Sequence, residues 1–181
     1  GSCFGSTSPA SINKANGETY GLTFPELSIE DIAKSGHAVL QTLGIDHVHT
    51  VMGPSMGGMT ALAYALLFPN SLSNLIVISA AARALPFTIS IRSLQRELIR
   101  SDPLWNNGIY KKDSAPLNGM KLARKLGLMS YRAANEWRER FNRARLPKTA
   151  GKKMFDIEFE VENYLNHNFG LKYFVLFFLR L

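Results

Sequence analysis

The residues Gly53-Pro54-Ser55-Met56-Gly57-Gly58 follow a short β-branched run and precede a long one rich in alanine and leucine. Few segments restrict a fold more. His47 to Met52 reads as a strand, and Gly57 to Phe68, ended by Pro69-Asn70, reads as a helix. A serine between them in the pattern Gly-x-Ser-x-Gly stands on a sharp strand-to-helix turn, with its hydroxyl projecting past the strand end. The flanking glycines let backbone pass backbone without a Cβ collision, and Gly58 is placed to help in the same way. Ser55 is therefore the candidate nucleophile. The N–H of Met56 is the candidate donor to an oxyanion, reinforced by the positive end of the helix. Without that chemistry, the same residues are simply a tight turn.

The neighbouring segments fix the fold class. Ser28 caps a helix, and Asp31 completes a capping box with Asp in place of Glu. Behind it Ile32, Val39, Leu40 and Leu43 recur at helical spacing, and Gly44 closes the helix. Leu75 to Ser79 is a mostly apolar run, as expected of a strand covered on both faces of a parallel sheet. Helix, strand, helix, strand is an α/β pattern. Residues 1–27 are rich in Gly, Ser, Pro and Asn and read as a long ordered loop. From Pro86 onward only helices are expected, over Ile89–Arg100, Leu117–Lys125 and Tyr131–Arg143, with an exposed loop at 144–153. The 181 residues suit one domain in three parts. These are a core with the serine turn (1–85), a basic helical lid (86–150), and a lid end with an apolar tail (151–181).

The net charge of +7 is concentrated. Residues 92–153 hold sixteen basic and five acidic groups, whereas the segments on either side are each slightly acidic. Such a block suggests nucleic acid. However, Arg92, Arg96 and Arg100 share one helical face, Glu97, Glu136 and Glu139 are interleaved, and no zinc spacing or aromatic RNA-binding signature accompanies them. A basic cover over a phosphorylated or carboxylated small molecule fits better, with no nucleic acid and no metal. Cys3 is the single cysteine, so no internal disulfide forms. The longest uncharged apolar run, Tyr173 to Leu179, is far short of the ~20 residues that span a bilayer. No basic-then-apolar leader opens the sequence. The expectation is a cytoplasmic setting without membrane attachment.

A serine hydroxyl needs a base, and the base an orienting carboxylate. His37 lies on the capped helix, while His47 and His49 belong to the strand upstream; all three read as structural or surface groups. His167 is the only histidine downstream, in a polar stretch without a strand-end loop, and Asp156 is an equally weak acid. No triad partner for Ser55 is legible.

Several motifs occur in order: Gly1 to Ser11 (Gly-Ser-Cys-Phe-Gly-Ser-Thr-Ser-Pro-Ala-Ser), Tyr20 to Pro25 (Tyr-Gly-Leu-Thr-Phe-Pro), Gly53 to Met59, and Phe159 to Leu165 (Phe-Glu-Val-Glu-Asn-Tyr-Leu). Together they resemble the homoserine O-acetyltransferase family of α/β-hydrolase-fold acyltransferases over about residues 1–167. Ala84 to Arg96 looks most like its serine O-succinyltransferase branch. The resemblance implies a partial α/β-hydrolase fold, a parallel sheet with flanking helices, plus a helical lid. Its first strands and second oxyanion donor would precede Gly1, and its triad Asp and His would follow Leu181. From about Asn168 the apolar ending leaves the family pattern, so the chain by itself is expected to be an inactive fragment.

Residue roles follow from the same resemblance. Where acetyl-transferring members carry an uncharged residue, this chain has Arg92, and a guanidinium can grip the terminal carboxylate of a succinyl group through two parallel hydrogen bonds. Arg92 also reads as an ordinary solvated helix arginine. Arg124 matches the family's arginine for the carboxylate of the amino-acid substrate. The implied reaction is double displacement through an acyl-Ser55 intermediate. Succinyl-CoA or acetyl-CoA is the co-substrate, L-serine or L-homoserine the acceptor, and no cofactor is held permanently. The product would feed cysteine or methionine synthesis, and the family likeness admits a homodimer. The competing expectations are an esterase or thioesterase with water as acceptor, and a catalytically silent fragment.

Overall fold

A computed structural model describes residues 6–110, 112–147 and 153–167. The opening residues 1–5, the centre of the expected loop (148–152) and the apolar tail 169–181 lie outside the described residues. Two compact units are present. One spans Thr23–Pro86; the other holds the described parts of Ser2–Leu22 and Phe87–Leu181.

The first unit is built on a parallel β–α–β core. Helix α1 (Ile29–Thr42) begins at Ser28, whose hydroxyl accepts from the Asp31 N–H, while the Asp31 carboxylate accepts from the Ser28 N–H at 3.0 Å. The capping box therefore forms with Asp in the Glu position. Leu43 ends the helix and Gly44 follows at φ 70°. The N–H groups of Gly44 and Ile45 return to the carbonyls of Gln41 and Leu40, which is a Schellman closure. Strand β1 (Val48–Pro54), helix α2 (Met56–Leu67) and strand β2 (Leu72–Ile78) follow. The strands pair in parallel with Val48 opposite Leu72, Val51 opposite Leu75 and Pro54 opposite Ile78. Ala33, Ala63 and Tyr64 form the buried centre, packed against Ile29, Leu40, Val51, Phe68 and Leu72.

One expectation is corrected here. The apolar strand was expected to be covered on both faces, yet Leu75, Ile76 and Ile78 are 38–46% exposed. The physical reason is the size of the sheet, which has two strands among the described residues. Two strands leave one edge of each unpaired and give their side chains few same-sheet neighbours.

The second unit is helical, with α3 (Pro86–Arg100), α4 (Leu117–Ser130), α5 (Ala134–Phe141) and α6 (Glu160–His167). Ahead of them in the chain, the described part of the expected ordered loop carries one isolated antiparallel bridge, Ile12 to Thr19. Helix α4 runs past its expected end at Lys125 because Gly127 is buried in a helix contact rather than ending the helix. Helix α5 is shorter than expected: Tyr131 caps α4, and Asn142 takes φ 45° and stops α5. Helix α6 was not expected. The Glu162 carboxylate accepts from the N–H groups of Glu158 and Phe159 at 2.7 and 2.8 Å and secures its first turn.

Small residues set the packing of α3 against α4. Gly119, Ala123 and Gly127 repeat every four residues and are all buried. A Cβ on Gly119 would lie 2.5 Å from the Leu98 carbonyl oxygen, so the two helices meet backbone to backbone. The buried Asp102 carboxylate fixes the approach, accepting from the Leu104 N–H at 2.9 Å and from the Gly119 N–H in the first turn of α4 at 2.8 Å. An anion there also answers the helix dipole. Trp137, Phe141 and Tyr164 join α5 to α6, with the Arg140 guanidinium 4.6 Å from the Tyr164 ring centroid. No helix among the described residues is long and apolar enough to cross a membrane.

Candidate active site

Ser55 stands between β1 and α2 with φ 52° and ψ −124°. An L-residue pays of order 1–3 kcal/mol for such a backbone, so the surroundings must hold it there. The Ser55 N–H donates to the Ile78 carbonyl at 2.9 Å, extending the parallel ladder into the turn. Its own carbonyl accepts from the Gly58 and Met59 N–H groups at 2.9 and 3.2 Å, closing the first turn of α2. The strained residue is thus tied to a strand on one side and a helix on the other.

The glycines divide the work differently from the expectation. A Cβ on Gly53 would lie 2.2 Å from the Gly57 carbonyl oxygen, and one on Gly58 would lie 2.7 Å from Ala80 Cβ and 2.9 Å from the Gly53 carbonyl oxygen. At Gly57 the nearest atom to an added Cβ would be Pro54 Cδ at 3.6 Å, an ordinary contact. The pattern Gly-x-Ser-x-Gly-Gly therefore needs its first and last glycines for space and its middle one much less.

The side chain of Ser55 is exposed and makes no hydrogen bond among the described residues, a cap bond to its own helix included. Serine at a helix N-cap ordinarily folds back onto the N2 or N3 amide. Here the reversed φ turns it away and leaves the hydroxyl free for another partner. The Met56 N–H, first in α2, has no backbone acceptor among the described residues, as expected at a helix start. A free hydroxyl, an adjacent free N–H and a helix N-terminus are the parts that an acyl group and its oxyanion require.

The histidines of this unit are occupied elsewhere. His37 stacks on Phe68 with centroids 3.8 Å apart, and its Nδ1 lies 3.3 Å from the Tyr64 hydroxyl. His47 spans the Asn70 carbonyl and the Ser73 hydroxyl at 3.0 and 2.8 Å, while His49 meets Thr50 Oγ1 at 2.7 Å. His47 immediately precedes β1 and His49 is its second residue, whereas Ser55 follows its far end. No histidine or carboxylate among the described residues is hydrogen-bonded to Ser55. In the helical unit, His167 ends α6, and Asp156 Oδ2 accepts from the Lys153 N–H within a local turn.

Arg92 and Arg124 lie on α3 and α4, both half-buried. The structure links these helices through a residue that the spacing of charges did not reveal. Arg92 Nη1 donates to Gln95 Oε1 at 2.9 Å, and Gln95 Nε2 donates to the Ala123 carbonyl, next to Arg124, at 2.7 Å. Gln95 shares its helical face with Thr88 and Arg92 as well as Ile91, Leu98 and Ile99, so the sequence does not mark it. No group of three or more His, Cys, Asp or Glu side chains suited to a metal occurs among the described residues.

Comparison with known proteins bears on the fold and the family. The sequence model of the alpha/beta hydrolase fold family matches residues 1–173. A protein of Litchfieldella anticariensis named serine O-succinyltransferase is 52% identical over 93% of this chain and 46% of its own length. The chain spans about half the length of the curated relatives it matches. Among solved structures, homoserine O-acetyltransferase from Bacillus anthracis superposes with a TM-score of 0.78 at 27% identity, over 88% of this chain and 43% of that one. A crystallised esterase gives a TM-score of 0.76 at 29% identity, over 90% and 45%.

Proposed function

We infer that this chain, which belongs to the α/β hydrolase fold family, carries the nucleophile of an acyl-CoA-dependent O-acyltransferase that succinylates the hydroxyl of L-serine. The observation that carries the reading is Ser55: a strained, exposed serine with a free hydroxyl, beside the free N–H of Met56 at a helix start. The names of the relatives at about half identity supply the donor and acceptor.

In this reading the Ser55 oxygen attacks the thioester carbonyl of succinyl-CoA. The tetrahedral oxyanion is held by the Met56 N–H and the N-terminus of α2. The C–S bond breaks, the CoA sulfur takes the proton that left Ser55, and a succinyl ester remains on Ser55. The hydroxyl of L-serine then attacks that ester, its proton returns to Ser55, and O-succinylserine departs. Arg92 binds the far carboxylate of the succinyl group, and Arg124 the carboxylate of the amino acid. No histidine or carboxylate among the described residues is hydrogen-bonded to Ser55, so the reading names no general base among them. Both arginines come from the basic segment 86–150, and no resident cofactor takes part. A role in cysteine synthesis, a cytoplasmic setting and a homodimer belong to the same reading, with acetyl transfer to L-homoserine as its nearest variant.

A second reading has a specific observation behind it: the esterase fold match covers as much of the chain as the transferase match. Water would then replace serine as acceptor. The test is a product assay of the natural protein with succinyl-CoA, with and without L-serine. Transfer predicts O-succinylserine and little free succinate when serine is present. Free succinate at the same rate with or without serine overturns the transferase reading in favour of hydrolysis.

A further inference from the structure

We propose that Gln95 is a positioning residue for choice of acyl donor, holding the Arg92 guanidinium in place against the backbone of α4. The proposal rests on the reading of Arg92 given above. Gln95 is 1% exposed, among the largest fully buried side chains of the described residues. Burying an amide is unfavourable unless its hydrogen bonds are made, and a methionine would fill the same volume without that demand.

Both ends of the amide are engaged, and in only one orientation. Arg92 offers donors alone, so the carbonyl end must face it; the Ala123 carbonyl accepts alone, so the NH2 end must face α4. A flipped amide would set like against like at both contacts. Gln95 therefore transmits the position of a rigid helix backbone to a long, flexible cation. Space around it is also fixed. A Cβ on Gly127 would lie 2.7 Å from Gln95 Nε2, so the glycine leaves room for the amide and nothing more.

The chemistry of the partner matters as much as its place. A glutamate at 95 would hold Arg92 equally well but neutralise it. Glutamine fixes the guanidinium and leaves its charge intact. Of the five N–H donors of a guanidinium, one is used on Gln95, which leaves an edge for the two parallel bonds of a carboxylate.

The test is steady-state kinetics of the natural protein with succinyl-CoA and with acetyl-CoA, comparing wild type, Gln95→Met, Gln95→Glu and Arg92→Met. The expected result is a rise of about tenfold or more in KM for succinyl-CoA in Gln95→Met, the size of one lost hydrogen bond to a charged group. The acetyl-CoA KM and both kcat values should not move. Gln95→Glu should lose the same preference although it keeps the contact, and Gln95→Met should add nothing in an Arg92→Met background. Gly127→Ala leaves the amide chemistry unaltered but crowds it, and carries the same expectation should Gln95→Met fail to fold. An equal change for both donors, no change, or an additive effect on top of Arg92→Met overturns the proposal alone. A wild type that does not prefer succinyl-CoA overturns the reading of Arg92 itself, and is seen before any variant is made.

Discussion

Replacing Gly53 by alanine and, separately, Gly57 by alanine should have opposite effects on a turn in which both glycines flank the same serine. On residue 53 the new methyl carbon would lie 2.2 Å from the Gly57 carbonyl oxygen and 2.3 Å from its carbonyl carbon. Optimal separation for such atoms is about 3.5 Å or more. Both partners are backbone, so no rotamer relieves the overlap. The chain must open the turn instead, at the expense of the Ser55 N–H bond to Ile78. Overpacking costs roughly 1–3 kcal/mol, and a backbone collision of this depth belongs at the upper end. On residue 57 the methyl carbon would meet Pro54 Cδ at 3.6 Å, while alanine in the helix is favoured over glycine by up to about 1 kcal/mol. The two variants should therefore differ by about 3–4 kcal/mol in unfolding free energy. Urea titrations followed by circular dichroism, with equal slopes required for the comparison, measure that difference. Unfolding free energies of Gly53→Ala and Gly57→Ala that agree within error would refute the packing argument for the turn.

Other outcomes follow from single contacts. Asp102→Ala strips the Leu104 and Gly119 N–H groups of a buried carboxylate acceptor; it should cost about 2–4 kcal/mol in denaturant unfolding, and a loss within error of zero would remove Asp102 from the α3–α4 packing. Tyr64→Phe deletes the hydroxyl that lies 3.0 Å from Ser71 Oγ and 3.3 Å from His37 Nδ1, and should cost about 1 kcal/mol by the same assay. Hydrogen bonds from Ser28 hold the Asp31 carboxyl below its ordinary pKa, with Lys34 assisting. Its contribution is then complete above the ordinary carboxylate range and lost as pH falls through the lowered value. Melting curves of wild type and Asp31→Asn should differ at neutral pH and converge in acid; a constant difference would count against the capping box.

What was legible in the sequence was punctuation. The order of elements in the first unit followed from Ser28, Gly44, Pro69 and the Gly-rich turn, because each of these changes backbone preference at its own position. What depended on distant contacts was not legible. The need for glycine at 58 rather than 57 is set by Ala80 and the Gly53 carbonyl, which only the folded turn brings near. The exposure of Leu75, Ile76 and Ile78 reflects how many strands stand beside β2, a property of the sheet and not of the run. The burial of Gln95 comes from the close approach that Gly119, Ala123 and Gly127 permit, which no residue of its own helix announces. Helix α6 starts on a side chain three residues inside it, a signal obscured by the run of acidic residues around Glu162.

The account depends most on Ser55 carrying the acyl group. The natural protein, mixed with succinyl-CoA and quenched in acid before serine is added, should show one succinyl group on the peptide that contains Ser55 by mass spectrometry. Ser55→Ala should show none and form no O-succinylserine when serine follows. O-succinylserine formed by Ser55→Ala at the wild-type rate, with no acylated peptide in either protein, would contradict the account.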